Sequence, residues 1–215
     1  MDFIIELGQY MIQNSTELFF LTIEQILMVG YGIGLALIIG IPLGIVAAKY
    51  EKLASFIISL TSILQLIPSL AMLAILMLYF GLGFKTMVIG ILLYSLLPIV
   101  RNTYVGIKEV DASIIESGKG SGMTPLQLLT IVQFPLSIPF IMAGLRVACV
   151  VAVAVACLGP YVGAGGLGKE IMSGISLQLD VKIYAGAIPA TVLAILSDTI
   201  LGKFEKKRKT ANTVT

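Results

Sequence analysis

Few residues in this chain have the type and spacing to do chemistry, and those that come near stop short of a catalytic set. There is no histidine, and the two cysteines, Cys149 and Cys157, lie eight apart in one apolar stretch. A metal centre needs more ligands than two thiols, so they read as small packing residues. Gly163, Gly165 and Gly168 fit the pattern G-x-G-x-x-G. That pattern cradles a dinucleotide only where it follows a strand and opens a helix in a βαβ unit. Here it follows a long apolar run and reads as a flexible outer turn or a gate, with Gly166 inside it. Gly118-Lys119-Gly120 has the lysine of a phosphate loop but not its spacing, which puts Ser or Thr after the lysine. The sequence therefore offers no ATP-hydrolysing motif, no metal cluster and no catalytic constellation, and it calls for no cofactor.

Two groups of polar residues remain. The first is the segment 111–139, DASIIESGKGSGMTPLQLLTIVQFPLSIP, where a very apolar chain turns rich in glycine, serine and proline. Asp111 is placed to N-cap a helix running to about Gly120, and Gly122 to make the left-handed turn that ends it. A second helix has a full start signal: Thr124 as N-cap, Pro125 at the first helical position and Gln127 closing a T-x-x-Q capping box. Met123 and Leu128 are spaced for the hydrophobic staple, and Pro135 is expected to close the helix. Ordinary connections run to about four to six residues, so a connection this long with two helices of its own points to a docking role. The second group, Gln65, Ser69, Tyr94, Ser95 and Asn102, lies inside apolar runs. These residues suit either a polar translocation path or hydrogen bonding between helices.

The elements that must position these groups are membrane helices. Apolar residues make up 58% and charged residues 12% of the chain, with a mean hydropathy of +1.02, far from a soluble globular domain. About 20 apolar residues cross a bilayer, and five stretches qualify: 25–48, 56–80, 84–105, 143–163 and 183–202. With the N-terminus outside and the C-terminus inside, eleven of the fourteen basic residues fall on the inner side, and only Lys85, Lys169 and Lys182 outside. Residues 1–24 carry Asp2, Glu6, Glu17 and Glu24 without a basic residue, so they lack the positive region of a cleavable signal peptide and read as an extracellular lead-in. Residues 25–202 form the membrane domain, with 111–139 on the cytoplasmic side. The basic tail 203–215 reads as a cytoplasmic anchor beside the last span rather than a nucleic-acid patch.

Ion-coupled carriers place ionisable groups near the midplane, and none stands there. Arg146 and Asp198 lie nearer the inner face, spaced to pair with each other or with Arg101. Pro68, Pro98 and Pro189 interrupt spans, as bends that work during gating or as static kinks. Energy for uphill transport must then come from another protein.

The spacing Glu116, Gly122, then Val132-Gln133-Phe134-Pro135 resembles the Glu-Ala-Ala…Gly…Ile-x-Leu-Pro signature of permease subunits of bacterial ABC importers, with Ser117 and Gly118 where that signature has alanines. The runs GIPLG (40–44), QLIPSLA (65–71), LPIVRNTY (97–104) and GAGGLG (163–168) are similar to the branch that imports glycine betaine, carnitine, choline and related osmoprotectants. The resemblance covers nearly the whole chain from about Glu24. It implies an all-α, type I importer permease in the bacterial plasma membrane, paired with an identical or related permease. A cytoplasmic ATPase would dock on Glu116, Gly122, Met123, Thr124, Pro125, Leu126 and Pro135, with Glu116 and Gly122 stabilising the bend. A solute-binding protein would deliver substrate outside. The same machine with another cargo, such as an amino acid, and a small channel or secondary carrier are the other readings.

Overall fold

The structure, a computed structural model, describes residues 2–213 and the side chains of 3–206. It is helical throughout: α1 (Asp2–Gln13), α2 (Ser15–Lys49), α3 (Glu51–Leu66), α4 (Ser69–Phe80), α5 (Phe84–Lys108), α6 (Ala112–Gly120), α7 (Pro125–Gln127), α8 (Phe134–Ala156), α9 (Gly168–Leu177) and α10 (Asp180–Thr213). A π-helical stretch, Leu128–Gln133, joins α7 to α8, and a 3₁₀ turn, Gly159–Val162, follows α8. Four helical runs are long and apolar enough to cross a membrane, and the bent pair α3–α4 makes a fifth.

The frame is set by small residues. Along α2, Met28, Gly32, Ala36, Gly40, Gly44 and Ala48 recur every fourth residue and are all buried. Facing them on α5 are Ile91, Ser95, Ile99, Thr103 and Ile107, buried at the same interval. A Cβ on Gly40 would sit 2.8 Å from Ile99 Cγ2, and one on Gly44 2.9 Å from the Val100 carbonyl. Two parallel helices therefore approach nearly backbone to backbone, as small-residue stripes allow where lipid supplies no hydrophobic drive between helices. On the other side α5 meets α8 antiparallel, with Gly106 under Ser137 and Phe140, and Gly144 over the Pro98 carbonyl and Asn102.

Four expectations need correction. The stretch 56–80 is not one straight span: it breaks at Ile67–Pro68 into α3 and α4, bent by 98°. Pro68 has no N–H to continue the ladder and holds Ile67 in extended backbone (φ −64°, ψ 130°). Residues 15–24 are not a separate lead-in but the first turns of α2, which is set off from α1 at Asn14. The fourth span begins earlier than 143, because the helical run is continuous over Pro125–Ala156. Pro135 therefore does not close a helix. The π turn absorbs it: Phe134 N–H reaches back five residues to the Leu129 carbonyl, and α8 continues through Pro135 and Pro139. Pro98 and Pro189 likewise lie inside the unbroken helices α5 and α10. The side chains of Lys207, Arg208 and Lys209, part of the basic tail expected as an anchor, lie outside the described residues.

Candidate functional site

At one end of the bundle lie α6 and α7, the two short helices expected between residues 111 and 139. Asp111 Oδ1 accepts from Ser113 N–H at 2.7 Å, and the bonds from Ser113 hold this carboxyl below its ordinary range. The turn after α6 is closed by backbone bonds, Gly122 N–H to Lys119 O (3.0 Å) and Met123 N–H to Gly118 O (3.1 Å). Gly122 sits at φ +78°, where only glycine is unstrained. Glu116 is exposed on α6 and makes no hydrogen bond to this bend among the described residues, so the turn is held by Gly122 and the main chain. The capping box is complete: Gln127 N–H donates to Thr124 Oγ1 (3.3 Å) and Thr124 N–H to Gln127 Oε1 (2.8 Å). Gly118 explains one departure from the alanine signature. A Cβ there would stand 2.7 Å from Leu128 Cδ1 and 3.4 Å from Met123 Sδ, so glycine lets the second helix pack onto the first.

This arrangement leaves Thr124, Pro125, Leu126, Ile131 and Pro135 exposed, with Leu126 at 68%. Beneath them a cavity of about 240 Å³ separates the segment from Ile45, Ala48, Lys49 and Ile107. The result is an ordered apolar ridge with room beneath it.

Of the candidate path residues, which lie elsewhere, Tyr94 meets the break that Gln65 and Ser69 flank, while Ser95 and Asn102 sit at other places on α5. Tyr94, on buried α5, donates its hydroxyl to the Ile67 carbonyl, the acceptor freed by the break at Pro68. Ser95 is fully buried in the α2–α5 seam, with no hydrogen-bond partner for its hydroxyl among the described residues. Asn102 Nδ2 donates to the Pro98 carbonyl at 2.8 Å, under Gly144. Gln65 and Ser69 are half-buried on either side of the break. Between helices, Arg146 forks onto Asp198, with Nη2 to Oδ2 at 2.7 Å, and reaches Glu205 at 3.7 Å, while Arg101 is exposed. Of the two arginines open to Asp198, Arg146 is the one it takes.

At the opposite end, sequence reasoning missed a polar cluster. The loop 163–168 is not a free turn. Gly166 N–H donates to Glu24 Oε2 (3.0 Å) and Leu167 N–H to Gln25 Oε1 (3.1 Å). Gln25 is fully buried, and its Nε2 donates to the Val153 carbonyl (3.1 Å) and to Cys157 Sγ (3.3 Å). Gly163 and Gly166 have positive φ, and Gly168 packs its Cα directly on the Cys157 carbonyl. The loop, with Glu17, Phe20, Glu24 and Lys169, walls a cavity of about 770 Å³ that none of the five path candidates lines. Nearby, buried Glu170 accepts from Tyr10 Oη (3.1 Å) and lies 3.9 Å from Lys182 Nζ. Burial first, and this carboxylate second, push the Tyr10 phenol up to about 12. The only signal in the sequence was a Glu-Gln pair at 24–25 inside an apolar helix.

The sequence and the fold are similar to those of known transport subunits. The family described as binding-protein-dependent transport system inner membrane component matches residues 40–210. The glycine betaine/carnitine/choline transport system permease protein OpuCD of Bacillus subtilis is 44% identical over 207 residues, 96% of this chain and 90% of that one. The carnitine transport permease protein OpuCD of Listeria monocytogenes is 50% identical over 184 residues, 85% and 82% of the two chains. The osmoprotectant import permease protein OsmW of Salmonella typhimurium is 36% identical over 91% of this chain and 94% of its own length. Among solved structures, an inward-facing MetNI methionine ABC transporter superposes with a TM-score of 0.79 at 18% identity, covering 89% of this chain and 95% of that one. An amino acid ABC transporter solved with histidines gives 0.68 at 19% identity, over 91% and 97%. At such identities the two structures establish the fold alone, that of type I ABC importer permeases. From its long apolar helices, its fold and its matched sequence, this multi-pass membrane chain belongs to the family of inner membrane components of binding-protein-dependent transport systems.

Proposed function

We propose that this chain is the permease subunit of an ATP-driven importer for quaternary-amine osmoprotectants: glycine betaine, carnitine and choline. The observation that carries the cargo is identity of 44–50% to permeases named for these compounds, over 85–96% of the chain. The ordered ridge of α6 and α7 supports the energy source, since it is a pre-formed surface for a separate ATPase to grip. The chain then pairs with a second permease, identical or related. The docking end faces the cytoplasm, and the end bearing loop 163–168 faces the solute-binding protein.

On this reading the permease contributes a path, not a binding cage. A quaternary ammonium is best selected by aromatic faces through cation–π attraction, a task for the binding protein. Tyr94 and the break at Ile67–Pro68 are the chain's own polar discontinuity in the bundle, where a solute could pass when the helices part. Of the bend candidates, Pro68 at this break is where gating is proposed; Pro98 and Pro189, inside unbroken helices, are read as static kinks, and the glycines of loop 163–168 as the fixed side of the entry.

The test is reconstitution in liposomes with candidate ATPase and binding protein, measuring ATP-dependent uptake of labelled betaine, carnitine and choline. Uptake is expected only with all components present, and with mutual competition among the three solutes. Uptake of an amino acid uncompeted by betaine would move the cargo. Flux from this chain alone without ATP would replace the importer with a channel or carrier.

A further inference from the structure

The polar cluster at the glycine-loop end was not absorbed by the docking segment or by the path candidates. Adjacent residues Glu24 and Gln25 on α2 supply the two side-chain acceptors that receive main-chain N–H groups of the loop, from Gly166 and Leu167. The loop's other main-chain bonds are within its own turns, as from Ala164 N–H to Gly159 O, while Val162 accepts from Gly83 N–H at the α4–α5 turn. Gln25 also spends both hydrogens of its amide, on the Val153 carbonyl and on Cys157 Sγ, near and just past the end of α8. One fully buried amide thus ties three elements together: the start of a span, the end of another and the loop after it. The backbone fits this arrangement closely, because Gly165 lies against the Glu24 carboxylate and Gly166 against the Gln25 amide with no room for a side chain. Glu24 and the first half of the loop, Gly163, Ala164 and Gly165, also form part of the wall of the 770 Å³ cavity, and the bonded Gly166 and Leu167 follow directly behind.

We infer that Glu24 and Gln25 are positioning residues for transport: they hold the 163–168 loop as the fixed wall of this cavity, and solute entry proceeds through the loop so placed. The inference rests on the proposed import function for its transport readout, but the latch itself is tested without transport. Glu24 acts as a hydrogen-bond acceptor here, not as a charge, and Gln25 acts through its amide.

The experiment uses the complete transporter with Cys149→Ser, leaving Cys157 as the one thiol of this chain. In that background the variants are Gln25→Leu, Glu24→Leu and the conservative Glu24→Gln, each checked for copurification with the ATPase. Labelling of Cys157 by a membrane-impermeant maleimide reads the latch, and uptake reads its consequence. Gln25→Leu is expected to speed labelling about tenfold or more and to cut maximal uptake by a similar factor, with assembly retained. Glu24→Leu is expected to act in the same direction, and Glu24→Gln to stay within about twofold of the parent, since an amide oxygen still accepts from Gly166. Unchanged labelling in Gln25→Leu would overturn the latch whatever the cargo proves to be. Faster labelling with unimpaired uptake would overturn the positioning role and leave a structural tie. If Glu24→Gln fails as badly as Glu24→Leu, the carboxylate serves as a charge and the inference for Glu24 is wrong. Should Gln25→Leu not assemble, Glu24→Leu and Glu24→Gln carry the test by the same two readouts. Failure of the parent to take up osmolytes would instead strike the proposed function, with the labelling result still readable.

Discussion

Removing the Thr124 hydroxyl tests whether the docking segment works because it is ordered before it meets its partner. Thr124 Oγ1 accepts the Gln127 N–H at 3.3 Å and also lies 2.9 Å from Gln127 Oε1, which in turn accepts the Thr124 N–H at 2.8 Å. Thr124→Ala deletes the first two contacts and loosens the third, at an exposed site where water replaces what is lost. Loss of such a cap costs about 1 kcal/mol. If the ATPase binds only the ordered segment, that cost passes into affinity, and about 1.4 kcal/mol is a factor of ten. The expected dissociation constant for purified ATPase, titrated against the permease in nanodiscs, rises at most about fivefold. Thr124→Ser keeps the acceptor and is expected to bind as the parent does. Equal affinity in Thr124→Ala and parent would refute pre-ordering as a contribution. A loss of thirtyfold or more would refute the cap argument differently, by showing that the hydroxyl touches the ATPase itself.

Two further outcomes are expected. Gly122 has φ +78° and open space where a Cβ would go, so Gly122→Ala carries backbone strain alone, about 1 kcal/mol; the same titration should show a loss of about fivefold, and no loss would mean that the turn is not kept on docking. Arg146 holds Asp198 through two guanidinium nitrogens, so Arg146→Met and Asp198→Leu should each lower the melting temperature, and the double variant should recover part of the loss because neither member of the pair is left facing the other's absence, the recovery being partial since Glu205 still loses its contact with Arg146. Additive losses in the double variant would show that the pair contributes nothing as a pair.

The parts of this protein legible from its sequence are those written in local spacing. The capping box spans three residues, and the Gly122 turn is a property of one residue. The α2–α5 seam is written as plainly, in small residues every fourth position, but only the partner helix gives that stripe its meaning. Pro68 and Pro135 show why proline alone is ambiguous. Both remove one N–H, yet the first sits between two helices at a 98° bend and the second is absorbed by a π turn within a continuous run. The Glu24–Gln25 tie was illegible for another reason. Its partners are 128 to 142 residues away, and no period or motif points from one to the other.

That tie bears on how a push at one end of the chain reaches the other. The run Pro125–Ala156 is 32 residues of unbroken helix, about 48 Å at 1.5 Å per residue, enough to cross the bilayer with its docking end projecting. Its first turns carry the docking cap, and the residue just past its end is Cys157, where Gln25 and Gly168 meet. α8 is seated on α5 at Gly106 and Gly144, and α5 on α2 at Gly40 and Gly44. Contacts this close leave little freedom to slide, because packed interiors have two arrangements or one, not a continuum. Yielding is left to two places that lack such seams: the π turn at Leu128–Gln133, with its 240 Å³ cavity, and the break at Ile67–Pro68. A displacement of α7 by the ATPase would then be taken up at the π turn or carried by α8 as a unit. Only the second course carries the push to the glycine loop, because α8 ends at Cys157, where the loop is fastened, and the loop's other ties, to α2 and to the α4–α5 turn at Leu82 and Gly83, lie away from the docking end. If the proposed ATPase drives transport, that second course is the one that carries its push to the far end. On this argument the stiffness of the α2–α5–α8 wedge, more than any single polar residue along it, links the docking end to the cavity at the other.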